Sequence, residues 1–293
     1  MSTDYFHCRD HYLALPGVRD VRSGPYRFAL PPTEFQDELA GRIADVDAMI
    51  RDGARAKTSV ESSASVAALS GGRKVFVKRN GNRGLAFTVK YSFIPARVFR
   101  AAMAACRVEE AGIATPRVLA VGEKRRCRVL LGGYLITDAV EDAQDLMAFV
   151  EHSPDAPAEL PAVMNEAARI VAALHGRGFY HGDLKLVNLY RADRSGRFGV
   201  WDLDSAQLFP GEVPRELVVR ELGRIVSSVL ICAEQNPAFP DGFFDLAAIA
   251  RALLDAYAAN GGTPPAADDV AAVALTRWLN KRKLRFDYGG RQL

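Results

Sequence analysis

The stretch that decides the fold is "YHGDLKLVNLY", Tyr180 to Tyr190, which is followed shortly by "FGVWDLDSAQ", Phe198 to Gln207. The first stretch carries the order His-Gly-Asp-x-Lys-x-x-Asn, and the second places Asp-x-Asp after a short strand-like run. Single Asp and Asn residues usually form turns. Their joint order, behind a helix that ends in "LHGRG", instead predicts a site that holds metal ions and transfers a phosphoryl group.

Each part that phosphoryl transfer needs has a candidate residue in these two stretches. Asp183 would accept or orient the attacking hydroxyl, and Lys185 would face the γ-phosphate. Asn188 and Asp202 offer the oxygen ligands that Mg²⁺ prefers. Asp202 lies 19 residues after Asp183, which leaves room for a hairpin made of "NLY" and "FGVW". Such a hairpin would bring Asn188 and Asp202 close together.

A phosphate-binding cation is predicted upstream. Lys78 ends "VFVK", an alternating run that matches the strand-borne signature Val-Ala-Ile-Lys in form and would bridge the α- and β-phosphates. No glycine-rich phosphate loop is visible in the sequence. The segment "SVESSASVAALS" stands in its place, and Ser62 and Ser63 are candidates for covering phosphates with backbone N–H groups and hydroxyls. An ordinary polar hairpin tip explains these serines equally well.

The ensemble "VFVK", "LHGRGFYHGDLKLVNLY" and "VWDLDSA" resembles the protein-kinase-like fold. It departs from eukaryotic protein kinases, because His-Gly-Asp replaces His-Arg-Asp, Asp-Leu-Asp replaces Asp-Phe-Gly, and no Ala-Pro-Glu motif follows. The segment "ARVFRAAMAACRVEEAGIATPRVLAVGE" resembles the bacterial lipopolysaccharide kinases that phosphorylate Kdo or heptose in the inner core. The resemblance covers about residues 55 to 230.

This resemblance implies an α+β, protein-kinase-like fold of two lobes with ATP in the cleft. We expect an N-terminal extension over residues 1–55, a β-rich N-lobe over 56–138 and a helical C-lobe over 139–293. Strands are predicted on both sides of the Gly71-Gly72 turn and in "RVLAVGE", "CRVLL" and "GYLITDAV". Helices are predicted in "PTEFQDELAGRIADVDAMIRDG", over about 95–111, and in "PAVMNEAARIVAALHGRG", "ELVVRELGRIVSSVLICA" and "FDLAAIARALLDAYAANGG".

The implied function is an ATP- and Mg²⁺-dependent kinase that acts on an anionic glycolipid, the lipopolysaccharide core. One alternative is a kinase for another acceptor, either a small molecule such as an aminoglycoside or a protein. A second alternative is a nucleotide-binding pseudokinase scaffold. The helix before Gly112 lacks a mid-helix glutamate to pair with Lys78, and Glu109, close to its end, is the candidate partner.

Composition narrows the protein class. Apolar residues make up 49% of the chain and charged residues 25%, as in soluble globular proteins. The net charge of +3 does not argue for a nucleic-acid partner, and four cysteines without a CxxC motif argue against a disulfide framework or zinc site. Polar residues interrupt the N-terminus, so no secretory signal is predicted. The predicted location is the cytoplasm, with peripheral contact with the cytoplasmic face of the inner membrane as an option.

Two basic clusters could attract an anionic substrate. Arg97, Arg100 and Arg107 form one stripe of a predicted helix, with further cations nearby in sequence at Arg79, Arg83 and Lys90. The second cluster is "RWLNKRKLRF", Arg277 to Phe286. Taken alone, each cluster is better explained as a solvated helix face or an exposed tail.

Overall fold

The chain divides into two compact units in a computed structural model. The first comprises Met1–Glu109 and Thr115–Glu141, and the second comprises Glu110–Ala114 and Asp142–Leu293. The structure describes residues 7–58, 62–81, 91, 94–192, 196–240 and 245–287. For residues 55–58 and 282–287 only the backbone is described.

Within the described residues of the first unit, seven strands form an antiparallel sheet. The strands are β1 (Arg19–Ser23), β2 (Tyr26–Leu30), β3 (Ala54–Thr58), β4 (Ser62–Ala68), β5 (Lys74–Asn80), β6 (Val118–Arg126) and β7 (Val129–Asp138). Their order in the sheet is β1-β2-β6-β7-β5-β4-β3. The helices of this unit are α1 (Cys8–Leu13), α2 (Gln36–Arg42), α3 (Val46–Asp52) and α4 (Val98–Glu110), whose last residue belongs to the second unit.

The core of the first unit lies between one face of this sheet and the helices α2 and α3. Side chains alternate along a strand, so β5 turns Val75 and Val77 toward this core and β7 turns Tyr134 and Ile136 toward it. Leu39, Ile43, Val46 and Met49 pack against them from the helical side. Each such side chain contributes about 1.5–3 kcal/mol when it is fully buried. The helices therefore cover apolar surface that the sheet alone would expose.

The segment 1–55, which the sequence predicts as an extension, contributes strands β1 and β2 and helices α1 to α3 to this unit. Strand β2 pairs with β6, with Phe28 opposite Gly122. A side chain at position 122 would collide with the ring of Phe28, so this glycine is what lets the ring lie flat on β6. The sequence predicts a helix but no strand here, because β1 reads "RDVRS" and is almost wholly polar.

The predicted hairpin around Gly71-Gly72 is confirmed, since β4 and β5 pair from Ala68 and Lys74 outward. The prediction of separate strands in "CRVLL" and "GYLITDAV" is wrong. Cys127 and Arg128 instead form the turn between β6 and β7, both with positive φ, and β7 runs without a break through Gly132 and Gly133. The sequence suggested that the two glycines end a strand. They instead lie within β7, where neighbouring side chains approach the strand closely and leave little room for a Cβ.

The second unit is mainly helical. Its elements are β8 (Ala143–Asp145), α5 (Leu146–His152), α6 (Ala156–His175), β9 (Phe179–Tyr180), β10 (Leu189–Ala192), β11 (Arg197–Val200), β12 (Gln207–Leu208), α7 (Arg215–Ala233), α8 (Leu246–Ala259) and α9 (Ala267–Asp287). Small sheets are formed by β11-β10-β8 and by β12-β9. Helix α9 packs against α7 and α8, and α6 packs against α8.

The predicted helices of the second unit are confirmed, with one correction at the start of α6. The sequence predicts Pro161 in the first turn, but the helix begins five residues earlier, with Pro157 next to its first residue. Proline is tolerated in a first turn because its missing N–H has no partner there. Pro161 therefore lies inside the helix and removes one backbone hydrogen bond. Gly176 ends the helix as predicted.

Candidate active site

The loop between β9 and β10 presents Asp183 and Lys185. Both side chains are more than a third exposed, and the Lys185 ammonium lies 3.1 Å from the Asp183 carboxylate. Asn188, at the end of the next short 3₁₀ turn, is buried. Its side-chain Nδ2 donates to the backbone carbonyl of Asp183 over 2.8 Å, which ties the two residues together and leaves its Oδ1 as an acceptor.

A hairpin brings Asn188 and Asp202 to the same end, as the sequence spacing predicts. Leu189 in β10 pairs with Val200 in β11, and the backbone N–H of Trp201 donates to the carbonyl of Asn188 over 3.1 Å. The Trp201 indole donates to the carbonyl of Val187 over 2.7 Å. Only residue 196 of the predicted turn 193–196 lies among the described residues.

Asp202 adopts a left-handed backbone conformation, with φ of 59° and ψ of 56°. This conformation costs a non-glycine residue roughly 1–2 kcal/mol, so it persists only where the surrounding structure imposes it. Here the paired hairpin precedes Asp202 and a 3₁₀ turn follows it. The side chain is exposed at the strand end.

His181 braces the loop by hydrogen bonds and is completely buried. Its Nδ1 accepts from the backbone N–H of Asp183 over 3.4 Å, and its Nε2 lies 3.1 Å from the carbonyl of Trp201. A carbonyl can only accept, so the proton is on Nε2 and the ring is in the neutral tautomer that bridges both halves of the site.

Gly182, between His181 and Asp183, has a backbone that only glycine accommodates. Its φ is +84°, and a Cβ would collide with the carbonyl oxygen of Ser205. An arginine at this position, as in the His-Arg-Asp motif, would be strained and would displace residue 205. The departure from the eukaryotic pattern therefore follows from the packing of this loop.

Glu221 binds backbone N–H groups of the loop, a role that the sequence did not predict. It is buried in α7, and its carboxylate accepts the backbone N–H groups of His181 and Gly182 over 3.2 and 2.8 Å. The same carboxylate lies 3.1 Å from Nε2 of His175, whose Nδ1 lies 3.0 Å from the Tyr257 hydroxyl. The available signal was that Glu221 falls on the apolar stripe of a helix, where a carboxylate needs buried donors.

Arg224, one turn further along α7, binds a backbone carbonyl of the same loop. Its Nη1 donates to the carbonyl of Gly182, and it also donates to the Tyr180 hydroxyl over 3.1 Å. Glu221 and Arg224 together bind the N–H groups and the carbonyl of the residues that precede Asp183. The loop is therefore fixed in place before any substrate arrives.

Lys78 lies in β5 of the first unit, on the face of the sheet that carries α4. Asn80, two residues along the strand and hence on the same face, pairs with Gly133. A Cβ at Gly133 would lie 3.1 Å from the Val98 side chain of α4. The predicted partner Glu109 lies in the last turn of α4 with its side chain exposed, and its pairing with Lys78 stays a prediction.

The serine candidates lie at the start of β4. Ser62 pairs with Asn80 and Ser63 with Arg79, so both are strand residues next to the tip. Ser59 and the tip itself lie outside the described residues. Ser65 is buried and donates to the Met49 carbonyl over 2.9 Å, so its hydroxyl stabilises the end of α3. A role of Ser62 and Ser63 in phosphate binding stays a prediction.

The residues at the hairpin end fit Mg²⁺ by their chemistry. Across the residues that the structure describes, no three His, Cys, Asp or Glu side chains gather into a metal-binding group. The predicted ligands are the Asn188 amide and the Asp202 carboxylate. Mg²⁺ commonly takes one or two carboxylates from the protein and completes its shell with water and substrate phosphates.

Comparison with solved structures first identifies the fold. A solved structure described as WaaP in complex with acyl carrier protein has a TM-score of 0.58 with this chain and 20% identity, and covers 89% of this chain and 99% of its own. It shows a protein-kinase-like fold, as predicted. A rhoptry antigen kinase domain from Toxoplasma gondii has a TM-score of 0.47 and 11% identity, covering 80% of this chain and 81% of its own. That similarity is too weak to support an argument.

The family follows from the sequence comparison. The model of the lipopolysaccharide kinase (Kdo/WaaP) family matches residues 48–229, more than half of the chain, and the chain belongs to this family. No curated protein matches the chain in sequence. The protein is thus a kinase of lipopolysaccharide biosynthesis, and the predicted family and enzyme class are confirmed. In the part of the chain that is described, no helix has the length and apolar character to span a membrane.

Proposed function

We propose that this protein transfers the γ-phosphate of ATP to a sugar hydroxyl, of Kdo or heptose, in the inner core of lipopolysaccharide. The observation that carries the proposal is the loop that presents Asp183 beside Lys185, with Asn188 and Asp202 at the same end of the adjacent hairpin. Family membership supports a kinase acting on a glycolipid. The acceptor comparison below tests the choice of sugar and hydroxyl.

Asp183 is proposed to act on the acceptor. Its exposed carboxylate would accept the hydrogen bond of the attacking hydroxyl and take up its proton as the oxygen–phosphorus bond forms. At the same time the bond between the γ-phosphorus and the β–γ bridging oxygen would break, and ADP would leave. Lys185, whose ammonium now lies on this carboxylate, would turn its charge to the transferred phosphoryl group. Because the backbone of the loop is held by Glu221 and Arg224, the two side chains can change partners without movement of the loop.

The remaining predicted residues are proposed to hold the nucleotide. Asn188 and Asp202 would bind Mg²⁺, which neutralises phosphate charge when it is bound. Lys78 would contact the α- and β-phosphates, and the backbone and hydroxyls of Ser62 and Ser63 would cover them. The Asn188 side chain fits this role because its Nδ2 is engaged with the Asp183 carbonyl, which orients its oxygen.

The proposed acceptor is an anionic glycolipid, so we further propose peripheral contact with the cytoplasmic face of the inner membrane. A net charge of +3 is compatible with such a surface, and no nucleic-acid partner is proposed. A vesicle-binding assay with anionic and neutral lipids would test the contact. Equal recovery of the protein with both kinds of vesicle would contradict it.

The experiment that tests the proposed function is Mg²⁺-dependent ATP turnover with dephosphorylated core lipopolysaccharide as acceptor. Asp183→Ala should lower kcat by a factor of about 10²–10⁴, the usual contribution of a general base. Asp202→Ala should abolish turnover. Asp255→Ala is the matched control, because Asp255 is an exposed carboxylate of α8 in the same unit and should leave the rate unchanged.

An acceptor comparison separates the proposed function from the other acceptors. Core glycolipids that end in Kdo or in heptose, small-molecule amino sugars and peptides would be offered in parallel. Turnover only with a core glycolipid supports the proposal and identifies the sugar. Turnover only with amino sugars or peptides, or ATP binding without turnover on any acceptor, would contradict it.

A further inference from the structure

The second basic cluster begins with an arginine that is not part of an exposed tail. Arg277 lies within α9, which extends from Ala267 to Asp287, and is half-buried. On sequence alone the cluster was expected to be solvated. The side chains of residues 282–286 lie outside the described part, whereas Arg277, the first residue of the cluster, lies within it.

Helix packing carries Arg277 toward the catalytic loop. Gly223 of α7 gives α9 room to approach, because a Cβ there would lie 2.6 Å from the Val273 side chain and 3.1 Å from the Val270 carbonyl. Arg277 follows Val273 by four residues and so lies on the same helical face, one turn further on. Arg224 directly follows Gly223 and reaches the Gly182 carbonyl.

The electrostatics of Arg277 agree with this placement. Burial lowers the pKa of its guanidinium first, and the positive charge of Arg224 lowers it next. The carboxylate of Asp183 opposes this effect, while Arg220 adds to it. These groups therefore lie close enough to Arg277 to act on its charge, although an arginine keeps its proton at neutral pH.

Arg220 and Arg224 share one face of α7, since they are four residues apart. Both also act on Tyr180, whose pKa is raised by burial and lowered in part by these two charges. Among the described residues, Lys185 lies on the Asp183 carboxylate, Arg224 binds the loop, and Arg220 and Arg277 add two further positive charges. Like charges that cannot be neutralised by losing a proton destabilise one another, and an anion bound among them would relieve the repulsion.

We propose that Arg277 and Arg220, with the charge of Arg224, form a subsite beside Asp183 that binds a carboxylate or phosphate group of the acceptor glycolipid. This inference rests on the proposed function, because it assigns the anion to the acceptor whose hydroxyl Asp183 orients. Kdo is a sugar acid, and core sugars can carry phosphate, so either anion suits a cluster of guanidinium groups. Such a subsite would orient the acceptor hydroxyl toward Asp183.

The first test is anion binding without catalysis. Inorganic phosphate is titrated against wild type, Arg277→Gln and Arg251→Gln while the melting temperature is measured. Arg251 is an exposed arginine of α8 in the same unit, so its variant removes the same charge from a different surface. We expect phosphate to stabilise wild type and Arg251→Gln and to have a smaller effect on Arg277→Gln. Equal responses of all three proteins would overturn the subsite.

Without phosphate, Arg277→Gln should melt at the same temperature as wild type or higher. The reason is that a lowered pKa in the folded protein means that folding disfavours the charged guanidinium. A purely structural arginine would behave in the opposite way, with a lower melting temperature in the variant and no change in phosphate binding. That result would also overturn the subsite.

The second test is kinetic. Arg277→Gln should raise KM for the core glycolipid by about tenfold, the effect of one lost hydrogen bond to a charged group, and Arg220→Gln should raise it by less. KM for ATP should not change. A raised KM for ATP with an unchanged KM for the glycolipid would assign the anion to the nucleotide and overturn the proposal.

Two acceptors identify the anion. If the KM effect persists with a core glycolipid that carries Kdo carboxylates but no core phosphate, the bound group is a carboxylate. If it appears only with a phosphorylated core, the group is a phosphate. If wild type turns over neither acceptor, the proposed function fails, and the phosphate titration still decides whether the arginines bind an anion.

Discussion

Two glutamates, one in each unit, are almost completely buried but are held by different kinds of partner. Glu221 of the second unit is 0% exposed and accepts from two backbone N–H groups and His175. Glu123 of the first unit is 1% exposed and accepts from Arg9 over 2.9 Å, from Arg125 over 2.9 Å and from the backbone N–H of Ala96 over 3.1 Å.

The difference between these partners indicates what each carboxylate does. Glu221 accepts two backbone N–H groups, which cannot turn away as side chains can, so it fixes the geometry of the loop that precedes Asp183. The arginines that bind Glu123 are 24% and 20% exposed at their side chains and come from separate segments. Arg125 also donates to the carbonyl of Ile94 over 2.7 Å. Glu123 therefore joins the N-terminal helix and the segment before α4 to the sheet.

Removing Glu221 should have the largest effect. Glu221→Ala leaves His175 and the N–H groups of residues 181 and 182 buried without an acceptor, so we expect a loss of about 3–5 kcal/mol in the free energy of unfolding. Turnover should fall strongly as well, even well below the melting temperature, because the loop before Asp183 loses its support. Urea unfolding and kcat measured on the same preparation check both effects.

The matched control for this variant is Glu216→Ala, which removes an exposed carboxylate from the first turn of the same helix. Its effect should stay within about 0.5 kcal/mol, the usual range for surface substitutions. A similar loss of stability in both variants would mean that the bonds to the loop contribute little, and the contrast with Glu123 would disappear.

Removing Glu123 should cost less stability and leave catalysis intact. In Glu123→Ala the two arginines can turn toward water, since both are partly exposed, so we expect a loss of about 2–3 kcal/mol, below that of Glu221→Ala. At temperatures where the variant is folded, kcat should equal that of wild type. Unchanged stability of this variant would mean that Glu123 does not hold its segments together. A strongly reduced kcat would mean that Glu123, like Glu221, also positions the loop.

The contact behind Glu221 should contribute a smaller amount. Burial, with the charge of Glu221, raises the pKa of Tyr257 to about 12, so its hydroxyl is protonated at neutral pH and can donate to Nδ1 of His175. Tyr257→Phe removes this donor and should cost about 1 kcal/mol. Thermal unfolding measures the effect. An unchanged melting temperature would mean that the Tyr257 hydroxyl adds no stability to the pair formed by Glu221 and His175.

The smallest expected effect is a pH dependence specific to Glu123. Burial raises the pKa of this carboxyl, but hydrogen bonds and charge from Arg125, the N–H of Ala96 and the charge of Arg9 outweigh it, so the pKa lies below its ordinary value of 4.5. A lowered pKa in the folded protein stabilises it above pH 4.5, and this contribution is lost as the pH falls through the lower value. Urea unfolding of wild type and Glu123→Gln should therefore converge as the medium is acidified. A difference in unfolding free energy between the two proteins that does not change with pH would contradict the proposed contribution of the Glu123 carboxylate.

Much of the second unit could be predicted from sequence because its signals are local. The helices α6, α7 and α8 repeat their apolar residues at helical spacing, and Gly176 marks where α6 ends. In the first unit, β4 and β5 alternate around a Gly-Gly turn. Strand β1 was not predicted, since a polar edge strand has no alternation and is held only by its pairing with β2.

The candidate site divides in the same way. The arrangement of Asp183, Asn188 and Asp202 could be predicted because a short hairpin and one turn connect these residues. Glu221 and Arg277 could not, because they lie on helices that reach the loop only after the helices have packed. Lys78 was predicted from its strand pattern, and the face it shares with α4 became clear only from the pairing of β5 with β7.

By itself, the sequence determined the family and predicted the candidate catalytic loop and the hairpin that joins its metal-binding candidates. The loop and the hairpin could be predicted because they depend on residues within about one turn or one hairpin of each other. Only the tertiary structure decided which buried carboxylate holds the loop and which arginines surround Asp183. The physical reason is that burial and charge act through space. The cost of burying Glu221 or Arg277 depends on donors and charges that distant parts of the chain supply.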